Sequence, residues 1–170
     1  HTMECYIKTK ESITKNQGEN ECCVLNYEDD VLRAFGKECK TNVVFFSSKR
    51  KLDQGFYLEN DIIYYADGKT TQKVIDVDEL NILGAHNYEN VMAATAIAMK
   101  MGVPLDKIVE VLKVFQAVEH RIEYVTEKRG VKFYNDSKGT NPDAAIKGIS
   151  AMNRPTLLIG GGYDKQSEYD

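Results

Sequence analysis

The chain has 170 residues, a net charge of −4 at pH 7 and a sequence pI near 5.5. This charge balance argues against general nucleic-acid binding, which normally requires a basic face. No apolar stretch approaches the roughly 18 residues that span a bilayer, and no signal peptide is visible, so we expect a cytoplasmic protein without a membrane partner.

The four cysteines favour the same compartment. They are Cys5, Cys22, Cys23 and Cys39, and no pair has the C-x-x-C spacing of a zinc or redox motif. Cys22 and Cys23 open a short apolar run, where side chains are normally buried. We therefore predict buried free thiols in a reducing cytosol, rather than disulfides or a zinc site.

The first half of the chain has the pattern of an α/β unit followed by a small antiparallel sheet. The predicted elements are a helix over Glu4–Gln17, a buried strand over Cys22–Asn26, a helix over Asp29–Gly36, a strand over Val43–Phe46 and a meander over residues 55–76. Turn residues at Glu59-Asn60-Asp61 and at Asp67-Gly68 divide the meander into strands.

Two helices follow the meander, and Gly102 with Pro104 separates them. Their apolar residues recur at helical spacing and predict ordinary core packing. The expected inward-facing residues are Val91, Ala94, Ile97, Ala98 and Met101 in the first helix, and Ile108, Val111, Leu112 and Phe115 in the second.

The run Tyr134–Pro142 combines a carboxylate, an ammonium group and two hydroxyls directly after the strand-like segment Val131–Tyr134. Asn141 is a favourable helix cap, and Pro142 suits the first helical position because that residue needs no N–H partner. We therefore predict a helix from Asp143 to about residue 151. Polar groups in such a turn form a candidate ligand site.

A second polar loop strengthens this interpretation. The apolar run Pro155–Ile159 predicts another strand, and it ends in the glycine-rich loop Gly160–Lys165. A strand, helix and strand with a right-handed crossover bring both loops to one edge of a sheet, where α/β proteins bind ligands. Two ordinary solvated loops are the alternative interpretation.

Asp67–Thr71 contains the Gly-Lys-Thr of a phosphate-binding loop. That loop requires another glycine five positions before Gly68, where Ile63 stands, and it joins a strand to a helix. We instead predict a hairpin turn, so the chain has no nucleotide-cradling loop of its own.

Polar residues also gather before the first long helix and after the second. Asn87 is a candidate helix cap, and Asn90 lies one turn further on. Arg121 suits a phosphate group because its guanidinium is a planar fork of donors. His86 and His120 lack neighbours at metal-ligand spacing, so we expect them to be structural.

In this order the residues resemble the Mur ligase family. The matching elements are Gly84-x-His86-Asn87-x-x-Asn90, His120-Arg121-x-Glu123, Asn135-Asp136-Ser137-Lys138-x-Thr140-Asn141-Pro142 and Gly-Gly-x-x-Lys165. The third element is specific to the branch that adds D-glutamate, and the resemblance covers nearly the whole chain.

The resemblance implies a fragment of a three-domain enzyme. Residues 1–3 are typical of a cloning remnant, and residues 4–117 correspond to part of the central ATPase domain without its P-loop. Residues 118–170 correspond to the start of a Rossmann-like C-terminal domain, and the hinge lies near Gln116–His120. The implied fold class is α/β, and we expect the fragment to be inactive and the full-length enzyme to be a monomer.

The implied activity is ATP-dependent amide-bond formation in peptidoglycan biosynthesis. Members of this branch phosphorylate the carboxylate of UDP-N-acetylmuramoyl-L-alanine with ATP and Mg2+, and D-glutamate then attacks the acyl phosphate. Carried over by the resemblance, Asn90, Arg121 and Asp136 contact ATP, with Asn87 in the same motif. Lys138 is implied as a catalytic residue that faces the phosphorylated precursor. Thr140 and Lys165 are implied to hold the D-glutamate carboxylate.

The segment Tyr6-x-x-x-Lys10-x-x-Ile13 resembles the family segment in which a lysine is carbamylated and helps to place magnesium. Lys10 is therefore a candidate catalytic and metal-associated residue. Carbamylation requires an uncharged amine, so a pocket must lower the pKa of the lysine or stabilise the carbamate. A solvated helical lysine is the alternative.

Two positions depart from the family pattern. Gly139 stands where the family usually has alanine, which we expect to loosen the loop without removing a chemical group. The pair Tyr163-Asp164 leaves the register of the acidic residue before Lys165 open.

Two other functions remain open from the sequence. One is a folylpolyglutamate synthase of the same superfamily, which the Asp-Ser-Lys-x-Thr-Asn-Pro run disfavours. The other is a noncatalytic module that binds a nucleotide or anion at the helix start near Asn141.

Overall fold

The structure is a computed structural model of the chain and describes residues 2–163. The helices are α1 Met3–Glu11, α2 Asp30–Glu38, α3 Ala85–Lys100, α4 Leu105–Val114 and α5 Pro142–Ser150. The strands are β1 Cys22–Asn26, β2 Asn42–Ser47, β3 Gln54–Glu59, β4 Ile62–Asp67, β5 Thr71–Asp76, β6 Glu123–Lys128 and β7 Val131–Asn135.

Five strands form a mixed sheet in the order β1-β2-β3-β4-β5. The pairs β1–β2 and β2–β3 are parallel, whereas β3–β4 and β4–β5 are antiparallel. This arrangement confirms the predicted α/β class, the two N-terminal strands and the meander.

Helix α2 begins where the sequence predicts, because the Asp29 side chain accepts a hydrogen bond from the Leu32 N–H at 3.0 Å. The predicted end at Gly36 is wrong, since the helix continues to Glu38. Gly36 is instead a packing residue: a Cβ there would lie 2.5 Å from Cζ of Phe45. Close approach of α2 to the sheet therefore accounts for this glycine.

Both meander turns have the predicted local chemistry. Asn60 and Asp61 have left-handed backbones with φ of 50° and 58°, as a two-residue hairpin requires. In the next turn, Asp67 Oδ1 accepts hydrogen bonds from the N–H groups of Lys69 and Thr70 at 2.8 and 2.7 Å. The Gly-Lys-Thr run is therefore in a hairpin turn, as predicted.

The main core lies between the mixed sheet and α3. Phe56, Ile63 and Ile75 of the sheet pack with Met92 and Ala96 of the helix, and all five are nearly inaccessible to solvent. On the opposite face of the sheet, Leu52, Tyr57 and Ala66 form a smaller cluster with Tyr27, Phe45 and Tyr64.

The predicted inward face of α3 is largely wrong. Val91 is buried, but Ile97 is 52% exposed and Met101 is 79% exposed. The buried residues are Val91, Met92, Thr95 and Ala96. The sheet therefore packs against a face of α3 that is rotated from the expected one. This buried face includes Thr95 and Ala96, whose small side chains let the helix approach the sheet closely.

The prediction for α4 is correct only in part. Ile108 is buried and Leu112 packs against the core, whereas Val111 is 60% exposed and Phe115 is 48% exposed. The apolar stripe of this helix is therefore wider than the surface that the rest of the fold covers.

The last part of the chain forms the β6–β7 hairpin and α5. The predicted strand at β7 and the predicted helix at α5 are confirmed. The sequence does not predict β6, because its polar and apolar residues alternate too weakly to indicate a strand. The connecting residues Arg129 and Gly130 have positive φ values of 54° and 79°. This two-residue turn is the geometry that antiparallel strands favour.

The predicted strand over Pro155–Ile159 is wrong, because these residues have no regular secondary structure. A strand needs a neighbour for its backbone hydrogen bonds, and none pairs with this segment within residues 2–163. Leu157, Leu158 and Ile159 are 88%, 65% and 90% exposed. The apolar composition alone therefore did not decide the structure.

The four thiols are free, and they differ in environment. Cys23 is buried as predicted, whereas Cys22 is only partly buried; Cys39 is also intermediate, and Cys5 is exposed. Burial raises the pKa of the Cys23 thiol. Across the described part of the chain, no helix has both the length and the apolar character needed to cross a membrane.

The two faces of α3 can be compared by substitution. Met92→Ala should lower the free energy of unfolding by about 2–5 kcal/mol, because it leaves a cavity in the core. Ile97→Ala on the exposed face should change it by less than about 1 kcal/mol. Urea denaturation measures both values, and equal losses would contradict the observed orientation of the helix.

Candidate active site

Three segments converge on one region: residues 120–123 before β6, residues 135–141 between β7 and α5, and the start of α3. The clearest contact is between Gly84 and α5, since a Cβ on Gly84 would lie 2.6 Å from Cβ of Ala151. Gly84 has a φ of 95°, so the conformation and the close contact both favour glycine.

The loop between β7 and α5 is ordered by its own polar groups. Asn135 Oδ1 accepts a hydrogen bond from the Ser137 N–H at 3.1 Å, and the Gly139 N–H donates to the Asp136 carbonyl at 2.9 Å. Asn141 Oδ1 accepts from the Ala144 N–H at 2.8 Å and caps α5, with Pro142 in the first turn. The predicted cap and helix start are confirmed.

Hydrogen bonds join this loop to the segment that contains Arg121. Asp136 Oδ1 accepts from the Ile122 N–H at 3.1 Å, and the Lys138 N–H donates to the His120 carbonyl at 3.0 Å. The His120 N–H donates to Glu123 Oε2 at 2.8 Å. Arg121 is therefore held between two anchored residues, and its own side chain is exposed.

The Asp136 carboxylate also contacts two glycines. A Cβ on Gly139 would lie 2.9 Å from Asp136 Oδ2, and a Cβ on Gly148 of α5 would overlap the same oxygen. The sequence suggests only that Gly139 loosens the loop. In the structure it also leaves room for the Asp136 carboxylate.

The prediction that Asn87 caps α3 is wrong. The capping position is Gly84, which has no side chain to offer, and Asn87 lies inside the first turn. Its side-chain amide donates to the Leu83 carbonyl at 2.7 Å. Asn87 thus ties the helix start to the preceding chain, while Asn90 lies one turn further along and is exposed.

His86 lies among the charged groups of this region. Burial, followed by the positive charge of Lys147, lowers the pKa of His86, and the carboxylates of Asp136 and Glu89 oppose this shift. The neutral form is therefore favoured, which agrees with a structural histidine. The influence of Lys147 and Asp136 also shows that the start of α3 faces the β7–α5 loop.

Sequence reasoning missed a polar network at the carboxyl ends of β1 and β2. Arg50 donates two hydrogen bonds to the Glu28 carboxylate at 2.9 and 2.8 Å, and the Ser47 hydroxyl donates to it at 2.6 Å. The hydrogen bonds from Arg50 are the largest cause that lowers the pKa of Glu28.

The next residue extends this network to α3. The Ser48 hydroxyl donates to Glu89 Oε1 at 2.5 Å. The available signal was the position of Glu28 and Ser47-Ser48 at the carboxyl ends of parallel strands, the edge at which α/β sheets collect functional groups.

The contacts described above for this region do not involve Lys10. Lys10 is exposed on α1, with Nζ 5.3 Å from the centroid of the Tyr6 ring. No residue of α1 is buried, and its last residue lines a cavity of about 380 Å3 against α2. Lys165 lies outside the described residues, so its predicted position beside the β7–α5 loop stays a prediction.

The convergent groups suit an anionic ligand. Arg121 offers a fork of donors, Lys138 is exposed in the loop that bonds to the His120 carbonyl, and the free N–H groups of α5 follow directly after that loop. In contrast, residues 2–163 contain no group of three or more His, Cys, Asp or Glu side chains arranged to hold a metal ion.

The pKa of His86 makes the stability of the fold depend on pH. The unfolded chain binds the His86 proton more readily than the folded chain, so this contribution is fully present above about pH 6.5 and is lost as the pH falls below that value. His86→Gln should weaken the loss of unfolding free energy between pH 7.5 and pH 5. Denaturation at both pH values measures it, and an unchanged pH dependence would contradict the assignment.

The comparisons with known proteins agree with this arrangement. Residues 1–98 match the family model described as Mur ligase middle domain. The UDP-N-acetylmuramoylalanine–D-glutamate ligase of Lachnospira eligens is 57% identical over 170 residues, which is 100% of this chain and 38% of that protein. The ligase of the same name from Lachnoclostridium phytofermentans is 56% identical over 170 residues, again 100% of this chain and 37% of that protein.

Solved structures show the same fold. A pseudomurein peptide ligase type C from Methanothermus fervidus has a TM-score of 0.66 and 19% identity, covering 92% of this chain and 38% of that chain. The UDP-N-acetylmuramoylalanyl-D-glutamyl-2,6-diaminopimelate–D-alanyl-D-alanyl ligase from Acinetobacter baumannii has a TM-score of 0.63 and 20% identity, covering 86% and 33%. The chain spans little more than a third of the curated relatives it matches. By the family model and these relatives, the chain belongs to the Mur ligase family.

Proposed function

We propose that this chain is part of an ATP-dependent ligase that joins D-glutamate to UDP-N-acetylmuramoyl-L-alanine. The observation that carries this proposal is the hydrogen-bonded junction of the Arg121 segment with the β7–α5 loop, beside the start of α3. Relatives that are 57% and 56% identical along the whole chain carry the name of this activity, which supports the assignment.

The reaction has two steps. A carboxylate oxygen of the L-alanine residue attacks the γ-phosphorus of ATP, and ADP leaves. The D-glutamate amine then attacks the carbonyl carbon of the acyl phosphate, and phosphate leaves after the amine loses a proton. Negative charge accumulates on the reacting groups in both steps. A site that orients anions and offsets their charge therefore accelerates both steps.

The start of α3 and the Arg121 segment form the nucleotide side of the proposed site. Arg121 binds phosphate oxygens through its guanidinium, and Asn90 and Asp136 contact the rest of ATP. Asn87 contributes by holding the first turn of α3 through its bond to Leu83. Magnesium would offset phosphate charge when it is bound, and Lys10, once carbamylated, is the residue of this chain proposed to help place it.

The β7–α5 loop forms the acceptor side of the proposed site. Lys138 and Thr140 are both exposed and directly precede the N-terminus of α5. Lys138 stabilises the phosphorylated precursor, and Thr140 with Lys165 holds the D-glutamate carboxylate. The N–H groups of the helix favour an anion at this position.

The chain divides into two functional parts in this proposal. Residues 4–117 belong to the central ATPase domain and residues 118–170 to the C-terminal domain, with a hinge near Gln116–His120. The isolated chain should be inactive, because its Gly-Lys-Thr run is a hairpin turn and cannot cradle phosphates. We further propose that the full-length enzyme is a cytoplasmic monomer whose partners are small molecules.

ADP release by the full-length protein tests this function. It should require ATP, UDP-N-acetylmuramoyl-L-alanine and D-glutamate, with L-glutamate inactive and the product confirmed by mass. Arg121→Lys should lower kcat/KM for ATP by about tenfold or more, because an ammonium group cannot replace the fork. Arg129→Lys in the exposed β6–β7 turn is the matched control and should leave activity unchanged. ADP release with neither isomer would refute the proposal.

We also propose that Lys10 is carbamylated in the active enzyme. Nζ of Lys10 lies 5.3 Å from the centroid of the Tyr6 ring, and this nitrogen must lose a proton when it reacts with carbon dioxide. Lys10→Ala should abolish most activity, whereas Lys8→Ala on the same exposed helix should not. A carbamate signal from carbon-13-labelled bicarbonate should disappear in the Lys10→Ala enzyme only. Unchanged activity together with no carbamate signal would contradict this role.

A further inference from the structure

The backbone on both sides of Arg121 has an unfavourable conformation. His120 and Ile122 have φ values of 67° and 48°, in the left-handed region that non-glycine residues rarely occupy. Ile122 is β-branched and only 7% exposed, so neither its side-chain type nor solvent access explains this geometry. Such a conformation persists only where surrounding contacts enforce it.

The Asp136 carboxylate supplies the contact that enforces the conformation at Ile122. Its Oδ1 accepts the Ile122 N–H at 3.1 Å, 14 residues away in the chain. The neighbouring bond from the Lys138 N–H to the His120 carbonyl fixes the other side of Arg121. The direction of Arg121 therefore depends on where the Asp136 carboxylate lies.

The other oxygen of this carboxylate lies against α5. Asp136 Oδ2 occupies the space that a Cβ of Gly148 would need. Gly148 is the buried residue of α5 and lies in its last turn, and glycine within a helix is normally less favourable than alanine. The fit of the carboxylate is a physical reason for glycine at this position.

We propose that Gly148 is a positioning residue: by admitting the Asp136 carboxylate against α5, it fixes the Ile122 backbone and so directs Arg121. The consequence for ATP rests on the proposed function. The packing relation between Gly148 and Asp136 does not, and it can be tested without an activity assay.

A double-mutant cycle in the full-length protein tests the packing relation. Gly148→Ala should lower Tm in the wild-type background, because the new methyl group displaces the carboxylate. In the Asp136→Ala background the same substitution should raise Tm, because the space is vacant and alanine favours the helix. A fall in Tm of equal size in both backgrounds would overturn the proposal. If the Gly148→Ala single variant does not fold, the difference in Tm between the Asp136→Ala variant and the double variant still tests the proposal.

Kinetics of the full-length ligase test the effect on Arg121. Gly148→Ala should reduce kcat/KM for ATP by roughly 10- to 100-fold, the size expected when a group is misplaced by about 1 Å. KM for D-glutamate should stay the same. Gly18→Ala is the control, because a Cβ there meets only Glu21 at an ordinary 3.4 Å. Equal effects on both substrates would overturn a role directed at Arg121.

The two tests separate the inference from the proposed function. If the wild-type protein shows no ADP release with D-glutamate, the proposed function fails, and the sign of the Tm change still tests the role of Gly148. If ADP release is normal and Tm changes equally in both backgrounds, the positioning role alone fails.

Discussion

The hydrogen bond from the Ile122 N–H to the Asp136 carboxylate constrains the candidate site more than any other single contact. It joins the segment before β6 to the loop after β7 and holds Ile122 in a left-handed backbone. Arg121 lies between this anchor and the bond from Lys138 to His120. The carboxylate that accepts the bond occupies space that a Cβ on Gly148 would need, and it lies close to Gly139. The backbone around Arg121 and the Asp136 carboxylate are thereby held together.

Helix α3 connects this region to the main core. Met92 and Ala96 pack on the mixed sheet, while the preceding turn reaches α5 through the contact of Gly84 with Ala151. The Ser48 hydroxyl bound to Glu89 adds a polar link from the end of β2 to the second turn of the helix. The orientation of α3 on the sheet therefore also sets where Asn87 and Asn90 lie. Packing in the core and geometry at the site are consequences of the same helix placement.

The charged groups at the end of the mixed sheet and those of the candidate site lie in different environments. The Glu28 carboxylate is 9% exposed and forms an ion pair with Arg50, so its charge is balanced within the fold. Arg121 and Lys138 are exposed, and the β7–α5 loop leaves them facing solvent. Charged pairs that stabilise the end of the sheet thus coexist with cationic groups available to an anion. This separation suits a site that binds an anionic ligand.

The sequence by itself determined the features that depend on neighbouring residues. The hairpin turns at Asn60-Asp61 and Asp67-Gly68, the Asn141 cap with Pro142, and the motif that marks the family are all local, since each needs only a few consecutive side chains. The family motifs predict Arg121 and Asp136 as site residues, but they reveal neither the contacts of these residues nor the proposed role of Gly148.

Only the tertiary structure decided which face of α3 is buried, that Asn87 is not the cap, and that residues 155–159 form no strand. It also decided that Asp136 anchors Ile122 and that Ser48 meets Glu89. These features join residues far apart in the chain. Hydrophobic periodicity and cap preferences describe single elements, whereas burial and long-range hydrogen bonds depend on which surfaces the fold brings together.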